Sequence, residues 1–368
     1  MAIDAKREEV LRQLRTVHDP DLRRDLVTLN MIQDLKIEDA KVSFTIVLTT
    51  PACPVKNDMK EWARAAVMRL PWVKEVAVDL RSQTVAGRAV SPGALIPKVK
   101  NVIAVASGKG GVGTSTTAVH VTLALAETGA TVGLLDADVY GPNVPLMMGF
   151  KGKVELRGEQ HRIEPALAYG VKVMSLGFII DEDKAVIWRG PMIHGAIQQF
   201  LRDVDWGELD YLIVDLPPGT GDASLSLAQL VPLSGVVIVT TPQHVALQDV
   251  AKSIAMFRQL EVPVIGVVEN MSYFICPNCN AEHEIFGRGG GERVAQHFGV
   301  PFLGKVPLQP QVRAGGDEGK PVVVSHPRAP ESEAFRKVAA AIAQRVSIMA
   351  FEQQGGFFPV SGLTLIKR

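Results

Sequence analysis

A short apolar run, Val102 to Ala106, passes without a break into Ser107-Gly108-Lys109-Gly110-Gly111-Val112-Gly113-Thr114-Ser115-Thr116, and a helical pattern, Ser115 to Glu127, begins at once. Glycines let a backbone turn its N–H groups inward, and a helix N-terminus adds partial positive charge. The main chain of such a loop can therefore hold a polyphosphate. Against the pattern G-x-x-x-x-G-K-[ST], Gly108 and Gly113 match and Ser115 takes the place of the magnesium-binding hydroxyl. Thr114 stands where the lysine belongs, which removes a positive charge from beside the β and γ phosphates. The plainer alternative is a glycine-rich turn with no ligand. Tyr211 to Asp215 is an apolar strand ending in a carboxylate, the arrangement that holds magnesium through water, or simply a cap on the next turn. Asp136 and Asp138 end another strand, where either also reads as a solvated loop acid.

The surrounding texture agrees with a sheet protein. Short, fully apolar runs at 102–106, 131–135, 171–176, 211–214, 236–240, 264–268 and 302–306 alternate with helical patterns at 115–127, 192–202 and 245–260 and a closing helix at 331–348. That is the signature of a parallel sheet covered on both faces. Ahead of it lies a smaller α+β pattern. It has a helix capped by Asp4 with Val10, Leu11, Leu14 and Val17 on one face, strands at 32–37, 42–48 and 73–79, and a helix at 59–70. The expected organisation is an α/β chain: a small α+β domain over 1–84, a linker over 85–100, a mostly parallel P-loop domain over 101–348 and a Gly/Pro-broken tail over 349–368.

Composition sets outer bounds. With 368 residues, 47% apolar and 21% charged, the chain can bury two or three cores, which excludes disorder, collagen and a disulfide scaffold. Lysine plus arginine and aspartate plus glutamate number 39 each, so no net field draws the chain to nucleic acid or an anionic membrane. Three cysteines, Cys53, Cys276 and Cys279, suit a reducing compartment. The charged start, Asp4 to Glu8, lacks the apolar core of a signal peptide. The expectation is a cytoplasmic protein with neither a membrane nor a nucleic-acid partner.

Cys276-Pro277-Asn278-Cys279 places two thiolates within one turn, a clamp for a soft metal centre. A redox dithiol and a pair of ordinary loop cysteines are the other readings. A tetrahedral or cubane centre needs four ligands, and the pair supplies two. The remainder can come from a two-fold mate, from His283 in a C-x2-C-x3-H zinc spacing, or from Cys53 if the N-terminal domain docks nearby. Cys53 precedes a helix, whose dipole is expected to lower its thiol pKa; otherwise it is a small apolar residue under the turn.

Gly-Lys-Gly-Gly-Val-Gly-x-Ser-Thr at 108–116 resembles the deviant P-loop of the MinD and nitrogenase-iron-protein class of dimeric ATPases. Asp136 to Pro145, Trp188-Arg189-Gly190-Pro191-Met192, Asp215-Leu216-Pro217-Pro218-Gly219-Thr220-Gly221-Asp222 and the Cys276–Cys279 motif narrow the resemblance to the Mrp/ApbC branch, over about 101–348. Residues 5–80, with Asp19-Pro20 and Thr49-Thr50-Pro51-Ala52-Cys53-Pro54, resemble the small SufT-like domain often fused ahead of it.

The resemblance implies an ATP-binding, homodimeric carrier that holds a [4Fe–4S] cluster between the two Cys276/Cys279 pairs and passes it to apo-proteins, with Cys53 as a transient ligand. It further implies that Gly108 to Thr116 cradle the phosphates and that Lys109 reaches the partner's nucleotide. Ser115 and Asp215 would hold magnesium, Asp138 would orient the attacking water, the loop to Asp222 would act as a switch, and Asn270 would contact adenine. Thr114 departs from the pattern, so ATP hydrolysis is expected to be slow or absent. Two other functions fit parts of the sequence: a regulatory nucleotide-binding module with structural zinc, and a MinD-like positioning ATPase, for which neutral charge and a broken tail offer no attachment surface.

Overall fold

The computed structural model describes residues 2–87, 95–138, 141–151, 162–179, 190–219, 221–230 and 233–353. Val139-Tyr140, Trp188-Arg189, Thr220, the side chain of Asp222 and the tail beyond residue 353 lie outside the described residues. Two compact units make up the chain, Met1–Gly87 with Ser347–Arg368, and Arg88–Val346.

In the first unit, helix α1 (Ala2–Leu14) is followed by the short pair β1 (His18–Asp19) and β2 (Arg24–Asp25), then β3 (Ile32–Glu38), β4 (Lys41–Leu48), α2 (Lys56–Val67) and β5 (Glu75–Ser82). Asp4 is not a cap as expected: the helix begins at Ala2 and Asp4 sits in its first turn, where a carboxylate still complements the helix dipole. β3 and β4 pair antiparallel across a tight turn, whereas β4 and β5 run parallel because α2 carries the chain back between them. Val42, Phe44, Ile46 and Leu48 on β4 bury against Val76 and Val78 on β5, Met59, Ala63 and Val67 on α2, and Val10 and Leu14 on α1. Phe351 completes this core.

The second unit is built on one eight-stranded sheet. Its elements are β6 (Val99–Ser107), α3 (Thr114–Glu127), β7 (Val132–Asp136), α4 (Val144–Met147), β8 (Ala166–Ala168), β9 (Val171–Ser175), α5 (Gly190–Asp203), β10 (Leu209–Asp215), α6 (Asp222–Leu230), β11 (Gly235–Thr240), α7 (His244–Gln259) and β12 (Val264–Glu269). A hairpin of β13 (Phe274–Ile275) and β14 (Glu282–His283) follows, then α8 (Gly290–Phe298), β15 (Phe302–Lys305), α9 (Pro310–Glu318), α10 (Val322–Ser325) and α11 (Pro330–Gln353), whose residues from Ser347 on belong to the first unit. The strand order is β15-β12-β11-β6-β10-β7-β9-β8, parallel throughout except for the edge strand β8.

Val236 to Val239 and Ile103 to Val105 are almost wholly buried, as a sheet covered on both faces requires. All seven apolar runs become strands of this sheet. The expected linker runs to residue 100, whereas β6 already begins at Val99, which pairs with Leu209 of β10. The closing helix passes its expected end at Ile348 and runs to Gln353.

This topology places the loop after β6. From β6 the chain leaves through α3 to β7, beyond β10; from β10 it leaves through α6 to β11, on the other side of β6. Connections that diverge in this way open a crevice at the C-terminal ends of the two strands, where α/β sheets place ligands.

Candidate nucleotide site and cysteine hairpin

The 107–116 loop wraps the N-terminus of α3. Gly111 (φ +81°) and Gly113 (φ +84°) adopt left-handed conformations that a side chain would strain, and Gly113 is the N-cap of α3. Gly108 is small for a different reason: a Cβ there would lie 2.4 Å from the Asp249 backbone on α7. Above the loop opens a cleft of about 420 Å³, lined on one side by Gly110, Gly111, Gly113, Thr114, Ser115, Thr116 and Asp138, and on the other by Asn270, Met271, Pro307, Leu308, Gln309 and Arg313. Val112 is buried beneath it, and Lys109 is half-buried and does not line it.

Thr114 carries no charge into this cleft. Its hydroxyl donates to Ser107 Oγ at 2.8 Å, which donates in turn to the Lys109 carbonyl at 3.0 Å, so the missing lysine is replaced by hydrogen bonds internal to the loop. Asn270 serves the loop as well as the cleft. Its Nδ2 donates to Val112 O at 2.9 Å, pinning the phosphate-loop backbone to the end of β12.

Asp136 and Asp215 are neighbours in register at the ends of β7 and β10. Asp136 accepts from Ser175 Oγ at 2.9 Å and from Asp138 N–H at 3.1 Å, yet burial pushes its carboxyl up to about 7. Asp215 is buried and neither carboxylate oxygen has a hydrogen bond of proper geometry. Burial, then the adjacent Asp136, push it well above the usual carboxylate range, against the Ser115 hydroxyl. A buried carboxyl with so little hydrogen bonding is costly to ionise. A cation between Ser115 and Asp215 would relieve it, so these residues fit magnesium.

The two cysteines sit on the β13–β14 hairpin. Cys276 N–H donates to Ala281 O at 2.9 Å and Asn280 N–H to Cys276 O at 2.8 Å, with Asn280 in the left-handed region (φ +56°) closing the turn. The backbone N–H groups of Asn278 and Cys279, and then the Cys279 side chain, hold the Cys276 thiol below its ordinary pKa. Cys276 is half-buried and Cys279 exposed. Among the described residues no group of three or more His, Cys, Asp or Glu converges to hold a metal.

Cys53 contradicts the expectation of a helix-lowered thiol. It is 8% exposed within the core of the first unit, and burial pushes its pKa up to about 11, with Asp21 and Asp19 adding to the effect against the Val55 N–H. The helix starts at Lys56, so desolvation outweighs a dipole three residues away. Iodoacetamide at pH 8 is therefore expected to alkylate Cys276 in the native chain and leave Cys53 unmodified. Peptide mapping by mass spectrometry checks this, and equal labelling of the two would refute the assignment.

Comparison with known proteins places this geometry. The family described as NUBPL iron-transfer P-loop NTPase matches residues 98–343. The chain belongs to that family. A second family, described as iron-sulfur cluster assembly protein, matches residues 7–80, within the first unit. An iron-sulfur cluster carrier protein from Synechocystis is 51% identical over 347 residues, covering 93% of this chain and 98% of the relative. Among solved structures, a nucleotide-binding protein from Archaeoglobus fulgidus in complex with ADP is 40% identical, with TM-score 0.56, over 65% of this chain and 93% of its own. Pyrococcus furiosus MinD, at 23% identity and TM-score 0.51 over 66% of this chain and 98% of its own, shares the fold.

Within this NUBPL-type P-loop NTPase the second wall of the cleft, Pro307 to Arg313, carried no sequence signal. It begins two residues after β15 ends and becomes a wall only because β15 joins the sheet edge beside β12. Nor is any helix among the described residues long and apolar enough to cross a membrane.

Proposed function

We propose that this chain binds ATP with magnesium in the cleft, carries a [4Fe–4S] cluster shared between two copies of itself through Cys276 and Cys279, and passes that cluster to apo-proteins in the cytoplasm. The observation that carries the reading is the hairpin: two cysteines on one tight turn, one with its thiolate stabilised by main-chain N–H groups, and no third ligand converging among the described residues. Half a tetrathiolate site is what a two-fold pair of identical subunits completes. The cluster carriage and ADP binding named for the relatives support the same assignment.

In the cleft, Gly110 to Thr116 present main-chain N–H groups to the phosphates, and Ser115 and Asp215 would hold magnesium, which supplies charge neutralisation when bound. Asp138, on the cleft wall, would orient the attacking water. Lys109, outside its own cleft, is assigned to the nucleotide of a second copy. Thr114 leaves the β and γ phosphates without the in-loop cation, so this member binds nucleotide and turns it over slowly.

Anaerobic reconstitution with iron and sulfide tests the assignment. The expected result is four iron and four sulfide per dimer by the cubane stoichiometry, lost in Cys276→Ser. Tightly held zinc without sulfide, or a cluster retained by a strict monomer, would overturn it.

A further inference from the structure

Two chain segments leave neighbouring strands of the sheet side by side and join the cleft to the cysteine hairpin. Val306 N–H donates to Glu269 O at 2.9 Å, Ser272 N–H to Val306 O at 2.9 Å and Leu308 N–H to Tyr273 O at 2.7 Å. The last rung is a side chain, Gln309 Nε2 donating to Ile275 O at 3.1 Å. One end of this ladder is fixed, since the buried Glu269 carboxylate accepts from Ser272 Oγ at 2.5 Å and from Gly291 N–H at 2.6 Å. The other end is the residue immediately before Cys276.

Gln309 occupies an unusual place for this bond. It is the N-cap of α9, where a polar side chain commonly turns back onto the helix N–H groups. Its side chain makes no capping bond, and Pro310 at the first helical turn has no N–H to offer. The amide reaches across to Ile275 instead. Gln309 therefore lines the cleft and at the same time holds the carbonyl that sets where the Cys276 turn begins.

We propose that Gln309 is a positioning residue coupling occupancy of the cleft to the geometry of the Cys276–Cys279 pair within a single chain. The inference rests on the nucleotide and cluster reading above. A ligand pressed against Pro307, Leu308 and Gln309 shifts or stiffens that segment, and the Leu308–Tyr273 and Gln309–Ile275 bonds pass the change to the start of the cysteine turn. Linkage makes the effect mutual: nucleotide and metal must alter each other's affinity by one common factor.

The test uses the full chain, ADP affinity by calorimetry, and Co²⁺ as a thiolate probe followed by its sulfur-to-cobalt charge-transfer band. In the wild-type chain each ligand is expected to shift the other's affinity by the same factor, on the order of 5-fold or more. In Gln309→Ala, and in Gln309→Glu, which keeps the length but presents no donor, the factor is expected to fall to one, whatever the affinity of each variant for either ligand alone. ADP is also expected to change amide exchange at Cys276 and Asn280 in the wild type and not in Gln309→Ala; a merely structural role would loosen those amides whether or not ADP is present. An unchanged factor in Gln309→Ala, or a wild-type factor of one with both ligands bound, would overturn the proposal. If wild type binds no ADP, or binds Co²⁺ equally well as Cys276→Ser, the reading beneath fails first, and this proposal with it.

Discussion

Replacing Thr114 with lysine is expected to raise ATP turnover by about 10²-fold or more, the size of effect that one preorganised charge-stabilising donor contributes at a reacting group. The structure shows why the wild type lacks this contribution. Thr114 lines the cleft, but its hydroxyl bonds to Ser107, and Lys109 stands outside its own cleft. A lysine at 114 starts from the first turn of α3, beside the loop amides, with a stem long enough to bring its ammonium among the phosphate oxygens. The loop itself loses only the Thr114–Ser107 bond, so Thr114→Ala is expected to change nucleotide affinity little. Phosphate release measured side by side decides the matter. Equal, robust turnover in Thr114→Lys and the wild type would show that the in-loop lysine is dispensable here.

The second large effect is on stability and lies at His120. This residue is fully buried on α3, one turn beyond the cleft-lining Thr116. Its Nδ1 bonds to Thr116 O at 2.7 Å, its Nε2 accepts from Val322 N–H at 3.2 Å, and its ring stacks on Phe335 at 4.3 Å. Accepting at Nε2 requires the neutral ring with its proton on Nδ1. Burial accordingly lowers the pKa to about 4 from the ordinary 6.5, against the Thr116 carbonyl.

The sign of the pH dependence follows from proton uptake. Above pH 6.5 the ring is neutral in both folded and unfolded chains, and the contribution is constant. As pH falls from 6.5 to 4 the unfolded chain takes up a proton that the folded chain refuses, so stability declines, by roughly 3 kcal/mol over that window. His120→Asn is expected to be less stable than wild type at pH 7.5, because the Phe335 stack and one of the two bonds are lost. Its stability is expected to fall less steeply between pH 6.5 and 4. Urea unfolding across that range compares the slopes, and parallel slopes would remove His120 as the cause.

Much of the site was legible because its chemistry is local. A loop that holds phosphate with main-chain amides must place glycines at fixed offsets between a strand and a helix. A thiolate clamp on one turn must space its cysteines three apart. The seven parallel strands announced themselves by the same locality, as apolar runs too short for helices. What misled was also local: Cys53 stands before a helix, and adjacency in sequence suggested a lowered thiol pKa. Its burial among Phe44, Met59 and their neighbours is a property of the packed core and reverses the sign.

The residues alone thus determined the strand, loop and helix that can cradle a polyphosphate, the absence of its lysine, and the pair of cysteines on one turn, since each is set by the order of a few consecutive side chains. Tertiary structure decided the rest. Asp136 meets Asp215 only because β7 and β10 pair in register, and Gly108 is required because α7 crosses above it. Gln309 reaches Ile275 across 34 positions of sequence only because the segments that follow β12 and β15 lie side by side. Burial and hydrogen bonding between residues distant in the chain depend on which surfaces the fold brings together, and that information is spread over the whole sheet.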